Sequence, residues 1–151
     1  MADLQDTVEI NKPLEEVFAF FTNIENSPEV MSNVTKVAKV TDGPLQVGSK
    51  FEETRMIRGR EATAVIEVVE FDAPNRYGVK SESNGLTVTY HYYFRSTLDN
   101  TTKVSFEGKI KTSGLRMLLS KPVIRKILQK EDGAHLWTLK EVLEKKVKED
   151  Q

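Results

Sequence analysis

Leu86-Thr87-Val88-Thr89-Tyr90-His91-Tyr92-Tyr93-Phe94-Arg95-Ser96-Thr97 and the following Thr102-Lys103-Val104-Ser105-Phe106-Glu107-Gly108-Lys109-Ile110-Lys111 decide the fold. Both stretches alternate apolar and polar residues with a period of two, the mark of strands buried on one face and wetted on the other. A three-residue loop at Asp99, Asn100 and Thr101 sets Phe94 opposite Phe106, Tyr92 opposite Gly108 and Tyr90 opposite Ile110, so that all six share a face. Thr89, His91, Tyr93 and Arg95 then share the outer face with Ser105, Glu107, Lys109 and Lys111.

Working backwards, clusters at Asp42-Gly43-Pro44, Arg58-Gly59, Asp72-Ala73-Pro74-Asn75 and Asn84-Gly85 punctuate further runs of the same period. They predict strands over residues 34–40, 49–57, 60–71, 76–83, 86–97 and 102–111, antiparallel because the connections are short. A two-residue turn at Arg58-Gly59 puts Phe51, Glu53, Arg55 and Ile57 on the face of Ala62, Ala64, Ile66 and Val68. Glu53 and Arg55 therefore point inward, and Val65 and Val69 point outward ahead of Phe71. Ahead of this meander, Leu4–Ile10 reads as a strand stopped by Asn11-Lys12-Pro13. Asn11 is the expected N-cap of a helix with Leu14, Val17, Phe18 and Phe21 on one stripe. Asn23 caps a second piece that Pro28 and Ser32-Asn33 keep brief. After Gly114 the period becomes helical, with Ile124, Ile127, Leu128, Leu139, Val142 and Leu143 on one face. Pro122 is expected to kink or delay this long helix, Gly133 to loosen it, and residues 145–151 to fray.

The chain has 151 residues, a usual size for one domain with one core, so residues 1–151 are taken as a single domain. Lys+Arg number 22 against Asp+Glu 23, and a net charge of −1 offers no field for nucleic acid. The absence of cysteine removes disulfides, thiol nucleophiles and thiolate metal sites. The acidic start Met1-Ala2-Asp3-Leu4-Gln5-Asp6 is unlike a signal peptide, and no apolar run approaches the ~18 residues of a membrane span. A cytoplasmic location, no integral membrane association, and a monomer or weak dimer are expected.

Strand, two small helices, six-stranded meander and long C-terminal helix make an α+β order that resembles the helix-grip fold of the START-like (SRPBCC) superfamily. This superfamily includes START lipid-transfer domains, birch-pollen-allergen-like proteins and polyketide cyclases. The resemblance is carried by Val8-Glu9-Ile10-Asn11-Lys12-Pro13-Leu14-Glu15-Glu16-Val17-Phe18, Val47-Gly48-Ser49-Lys50-Phe51, Glu70-Phe71-Asp72-Ala73-Pro74 and the stretch from Leu136 to Leu143. These are fold markers, and the superfamily hosts several functions. It implies no cofactor.

A curved sheet and one helix laid across it cannot close everywhere, so a cavity is expected, walled by Phe18, Phe21, Phe51, Arg55, Ile66, Tyr77, Val79, Val88, Tyr90, Tyr92, Phe94, Phe106, Leu128, His135 and Leu139. The alternative is that these side chains fill a solid core. His135, with Glu131 one turn earlier and Asp132 beside it, is either a base or ligand-orienting group inside the cavity or a helix-edge histidine bonded to a carbonyl. Arg55 either meets a ligand carboxylate or pairs with Glu53. Tyr90 and Tyr92 either polarise a ligand carbonyl or pack with their hydroxyls on neighbours. His91 belongs on the surface, and neither histidine has metal ligands at a recognisable spacing. Lys121, Arg125, Lys126 and Lys130 beside Leu115, Met117, Leu118 and Leu119 form either a solvated helix face or a contact with anionic lipid.

Three functions remain open. The first is binding or transport of a small hydrophobic molecule, lipid, sterol-like or polyketide-like, without reaction. The second is an enzyme resembling polyketide cyclases or dehydratases, with His135, Arg55 and Tyr90 as weak catalytic candidates. The third is a chaperone- or ribosome-associated interaction module, marked by an exposed apolar patch.

Overall fold

Strand β1 (Leu4–Ile10) leads into helix α1 (Leu14–Thr22), a single 3-10 turn (Ile24–Asn26) and the short α2 (Ser27–Val30). Strands β2 (Val34–Lys39), β3 (Lys50–Ile57), β4 (Arg60–Asp72), β5 (Arg76–Ser83), β6 (Leu86–Thr97) and β7 (Thr101–Thr112) follow, then helices α3 (Leu115–Asp132) and α4 (His135–Glu149). The computed structural model describes residues 2–57, 59–83, 85–97 and 100–149; the side chains of Ile57, of residues 116–118 and of residues 146–149 lie outside that description. The expected turn residues Arg58, Asn84 and Asp99 and the tail residues 150–151 are outside it too.

The seven strands form one sheet in the order β1-β7-β6-β5-β4-β3-β2, antiparallel throughout. The β3–β4 register is the expected one, with Phe51 opposite Ile66, Glu53 opposite Ala64 and Arg55 opposite Ala62. The β6–β7 register differs. Thr97 pairs with Thr101, one residue earlier than the expected strand start, and Tyr92 rather than Phe94 faces Phe106, with Phe94 on Val104 and Tyr90 on Gly108. Asn100, at φ 61, supplies the left-handed residue a short hairpin loop needs, and the paired threonine hydroxyls hydrogen-bond across its base. A slip of two residues moves every pair but leaves every side chain on its face, so Tyr90, Tyr92, Phe94, Phe106 and Ile110 are all buried as expected.

Two other local expectations, the cap of α1 and the single long helix, are corrected, and a bulge places Phe71. The first residue before α1 is Pro13, whose extended backbone (φ −62, ψ 149) starts the helix without a side-chain cap. Asn11 instead gives its backbone N–H to Glu144 Oε1 at 3.0 Å, tying β1 to α4. A β-bulge between Val68 and Glu70 inserts one residue and turns Phe71 inward, opposite Tyr77 and edge-on to Phe18 at 5.5 Å. The long helix is two helices, broken at Gly133-Ala134, while Pro122 is carried inside α3, which already begins at Leu115.

α4 seals one half of the sheet. Leu136, Leu139 and Leu143 recur at helical spacing, are fully or almost fully buried, and lie against β1, where Lys140 Nζ donates to the carbonyl of Glu9 at 2.6 Å. On the same half, Gly108 leaves room for its neighbours: a Cβ there would sit 3.0 Å from Tyr90 Cε1 and 3.2 Å from Leu4 Cβ. Tyr90 is anchored by its hydroxyl and cannot swing aside freely. Gly108→Ala is therefore expected to destabilise the chain by about 1–3 kcal/mol in urea denaturation, the usual cost of overpacking. An unchanged midpoint would show that the ring yields.

Candidate functional site

The other half of the sheet stays open. Between its concave face and the helices lies a cavity of about 240 Å³. β3 contributes Phe51, Glu53 and Arg55 to its wall, β4 Ala64 and Ile66, β5 Tyr77, Val79, Lys80 and Ser81, and β6 Leu86, Val88, Tyr90 and Tyr92. The helical side gives Phe21, Ile24, Ser27, Val30, Met31, Leu128 and Asp132. Ten of the expected residues are on this wall: Phe21, Phe51, Arg55, Ile66, Tyr77, Val79, Val88, Tyr90, Tyr92 and Leu128.

Phe18, Phe94, Phe106, His135 and Leu139 are not. They fill the packed half, where Phe18 meets Phe94 edge-on at 5.1 Å and Phe106 meets the His135 ring at 4.7 Å. His135 and Leu139 lie beyond the break at Gly133-Ala134, on α4 over the packed half, while Leu128 and Asp132 belong to the last turns of α3 over the cavity; Phe18, Phe94 and Phe106 come from α1, β6 and β7.

One end of the cavity is charged. Arg55 Nε donates to Glu53 Oε1 at 2.6 Å, and its Nη1 lies 2.8 and 3.0 Å from the two oxygens of Asp132. Tyr90 donates its hydroxyl proton to Asp132 Oδ2 at 2.7 Å. Asp132 is 1 % exposed and Glu53 6 %, so the Arg55–Glu53 pair foreseen from the register has a third, equally buried member. The backbone carbonyl of Asp132 accepts from His135 Nδ1, which places the ring proton on that nitrogen. Nε2 is then an acceptor and takes the Tyr92 hydroxyl proton at 3.0 Å. His135 is thus the carbonyl-bonded histidine, with its lone pair engaged.

The ionisation of the cluster follows from burial and neighbours. Burial alone would depress the Arg55 guanidinium, but the charges of Glu53 and Asp132 and their hydrogen bonds outweigh it and hold it firmly protonated. Burial, and next the Asp132 carboxylate, push the Tyr90 hydroxyl up; Tyr77 is raised by burial and then by Glu53, and Tyr92 by burial above all. Burial lowers His135 below its ordinary 6.5, keeping it neutral.

Asp132, read in the sequence only as the neighbour of His135, is instead the partner of Arg55 on the cavity wall, and it carried a signal for that: a carboxylate four residues from both Leu128 and Leu136 falls in a buried stripe. Ile24, Val30 and Met31 carried none, since they lie in or just after short helical pieces, and Leu86 lies at the very start of β6.

Outside the cavity, His91 lies 3.2 Å from Glu70 on the outer face, 27 % exposed, at the surface position expected for it. On α3, Lys121 pairs with Asp3 at 3.4 Å and Arg125 donates to the Asp3 carbonyl at 2.9 Å, while Leu115, Leu119 and Val123 are exposed. The side chains of Met117 and Leu118, also named in that cluster, lie outside the described residues. Val65 is exposed as expected. Among the described residues no group of three or more His, Asp or Glu could hold a metal ion, and no helix is long and apolar enough to cross a membrane.

A family model described as polyketide cyclase / dehydrase and lipid transport matches residues 1–144. No curated protein matches the chain in sequence. Among solved structures, a START superfamily protein from Mycobacterium smegmatis is 14 % identical over 98 % of each chain, with a TM-score of 0.67. Ara h 8.0201 is 16 % identical over 93 % of this chain and 97 % of its own, at 0.70. The di-domain ARO/CYC StfQ, from the steffimycin biosynthetic pathway, is 14 % identical over 96 % of this chain and 53 % of its own, at 0.73. At such identities the likeness is one of fold.

Two outcomes test the charged end. Arg55→Met leaves two buried carboxylates without their cation and is expected to cost about 3–5 kcal/mol in urea denaturation; a loss under about 1 kcal/mol would mean that water already screens them. For His135, the unfolded chain takes up a proton near 6.5 that the native chain refuses. The stabilising contribution of the neutral ring is therefore present above that pH and lost as pH falls through it. The stability gap between wild type and His135→Gln should narrow by about 1 kcal/mol from about pH 7.5 to about pH 5.5. A gap independent of pH would contradict a buried neutral ring.

Proposed function

The chain belongs to the polyketide cyclase / dehydrase and lipid transport family, and from that premise and the shape of the cavity we propose that it binds a small, mostly apolar molecule there without transforming it. One observation carries the reading. Phe21, Met31, Val79, Val88 and Leu128 all project inward, yet each is only half-buried, because the surface they leave open is cavity wall. In a filled core those faces would touch one another, gaining roughly 25 cal/mol for each Å² of apolar surface covered. A bound apolar molecule supplies the missing cover.

The size limits the guest. About 240 Å³ lies just below the roughly 300 Å³ at which drug-sized sites begin. It is room for about eight waters at ~30 Å³ each. A fused ring pair, or one end of a longer chain leaving through the mouth, suits it better than a whole sterol or diacyl lipid. The residues named for acid–base work favour binding over reaction, since Tyr90 is committed to Asp132, and His135 stands behind Tyr92.

Native mass spectrometry of the purified chain, followed by organic extraction, is expected to find an apolar molecule near one equivalent. Val88→Trp, which fills the cavity from β6, should stay folded yet no longer gain thermal stability from naphthalene-sized ligands that stabilise the wild type. A variant that responds as strongly as the wild type would place binding elsewhere.

A further inference from the structure

We infer that the cavity selects apolar molecules bearing a hydroxyl or amine donor and rejects their carboxylates. This rests on the binding reading above and names the ligand class of that site. Three observations carry it.

The first is charge. Glu53, Arg55 and Asp132 carry formal charges of −1, +1 and −1, so the buried end of the cavity has one negative charge in excess. Lys80, the other cation on the wall, is paired with Glu82 at 3.3 Å and is offset there. A ligand carboxylate would meet one guanidinium already shared between two carboxylates.

The second is hydrogen-bond capacity. Arg55 Nε and Nη1 are committed to Glu53 and Asp132, and Nη2 meets only the thioether sulfur of Met31 at 3.5 Å. The guanidinium therefore cannot offer the parallel pair of N–H groups with which arginine grips a carboxylate.

The third is an acceptor in waiting. Glu53 is 6 % exposed and on the wall; its Oε1 takes Arg55 Nε, and its Oε2 accepts no hydrogen bond from any described residue. A carboxylate oxygen of a mostly buried residue on the cavity wall, without a donor of its own, calls for one, which a ligand O–H or N–H supplies. The Tyr77 hydroxyl, on the same wall and likewise without a partner among the described residues, offers a second point of contact.

The test compares naphthol, naphthylmethylammonium and naphthoate by calorimetric titration of the intact wild-type chain near neutral pH. The three share one ring system and differ only in the polar group. Naphthol and the ammonium are expected to bind at least tenfold more tightly than naphthoate. The ammonium exceeding naphthol would assign the preference to charge, and the reverse to the donor itself. Glu53→Gln removes the excess charge and keeps the shape, and should cut the preference at least threefold. Naphthoate binding as tightly as naphthol, or a preference untouched by Glu53→Gln, overturns the inference while leaving the cavity reading in place. Binding of none of the three overturns the cavity reading, and the inference falls with it.

Discussion

The contact on which the rest of the molecule depends is the guanidinium of Arg55 held between Glu53 and Asp132. It joins an inward position of β3 to the last turn of α3, 77 residues along the chain, and Tyr90 brings β6 to the same carboxylate. Its net contribution to stability is modest, because burying charges costs much of what their attraction returns. Its consequence is geometric. It fixes the end of α3 over the sheet, and with it the place where the helix breaks and α4 begins.

That break divides the interior into two kinds of space. Beyond it, α4 lays Leu136, Leu139 and Leu143 onto β1, and the rings of Phe18, Phe94, Phe106 and His135 close edge-to-face, the arrangement aromatic rings prefer. Before it, α3 and the short helices reach over β3, β4, β5 and β6 without touching them fully, and the cavity remains. Asp132 serves both halves: its side chain orders Arg55 and Tyr90 on the hollow side, and its backbone carbonyl orders His135, and through it Tyr92, at the boundary.

This is also where the sequence stops being legible. Period-two alternation and turn residues locate the strands, because both are local properties, and the parity of β6 and β7 survives even though their pairing slips by two residues. The Arg58-Gly59 spacing is enough to turn Glu53 and Arg55 inward. What local pattern does not contain is the bulge that turns Phe71, or the point along α3 and α4 at which one continuous stripe passes from cavity wall to packed core. Phe18, Phe94, Phe106, His135 and Leu139 share the inward pattern of the cavity residues yet lie in the packed half, because pattern gives the face of a side chain and not its place along that face, and Asp132, which completes the site, reads in the sequence as a neighbour of His135.

The polarity of the site therefore turns on one residue more than the pattern reveals. Arg55 with Glu53 alone is a neutral pair, and a ligand carboxylate could compete for a guanidinium that still had donors to give. Adding Asp132 engages Nη1 as well as Nε, leaves Nη2 against the Met31 sulfur, and makes the cluster net negative, while Tyr90, held protonated by burial and by that same carboxylate, spends its own donor on it. What is left at that end is acceptor capacity on Glu53, with the Tyr77 hydroxyl on the same wall, beside a surface that is otherwise mostly apolar. The carboxylate at the α3–α4 break in this way also sets the charge of the cavity's polar end.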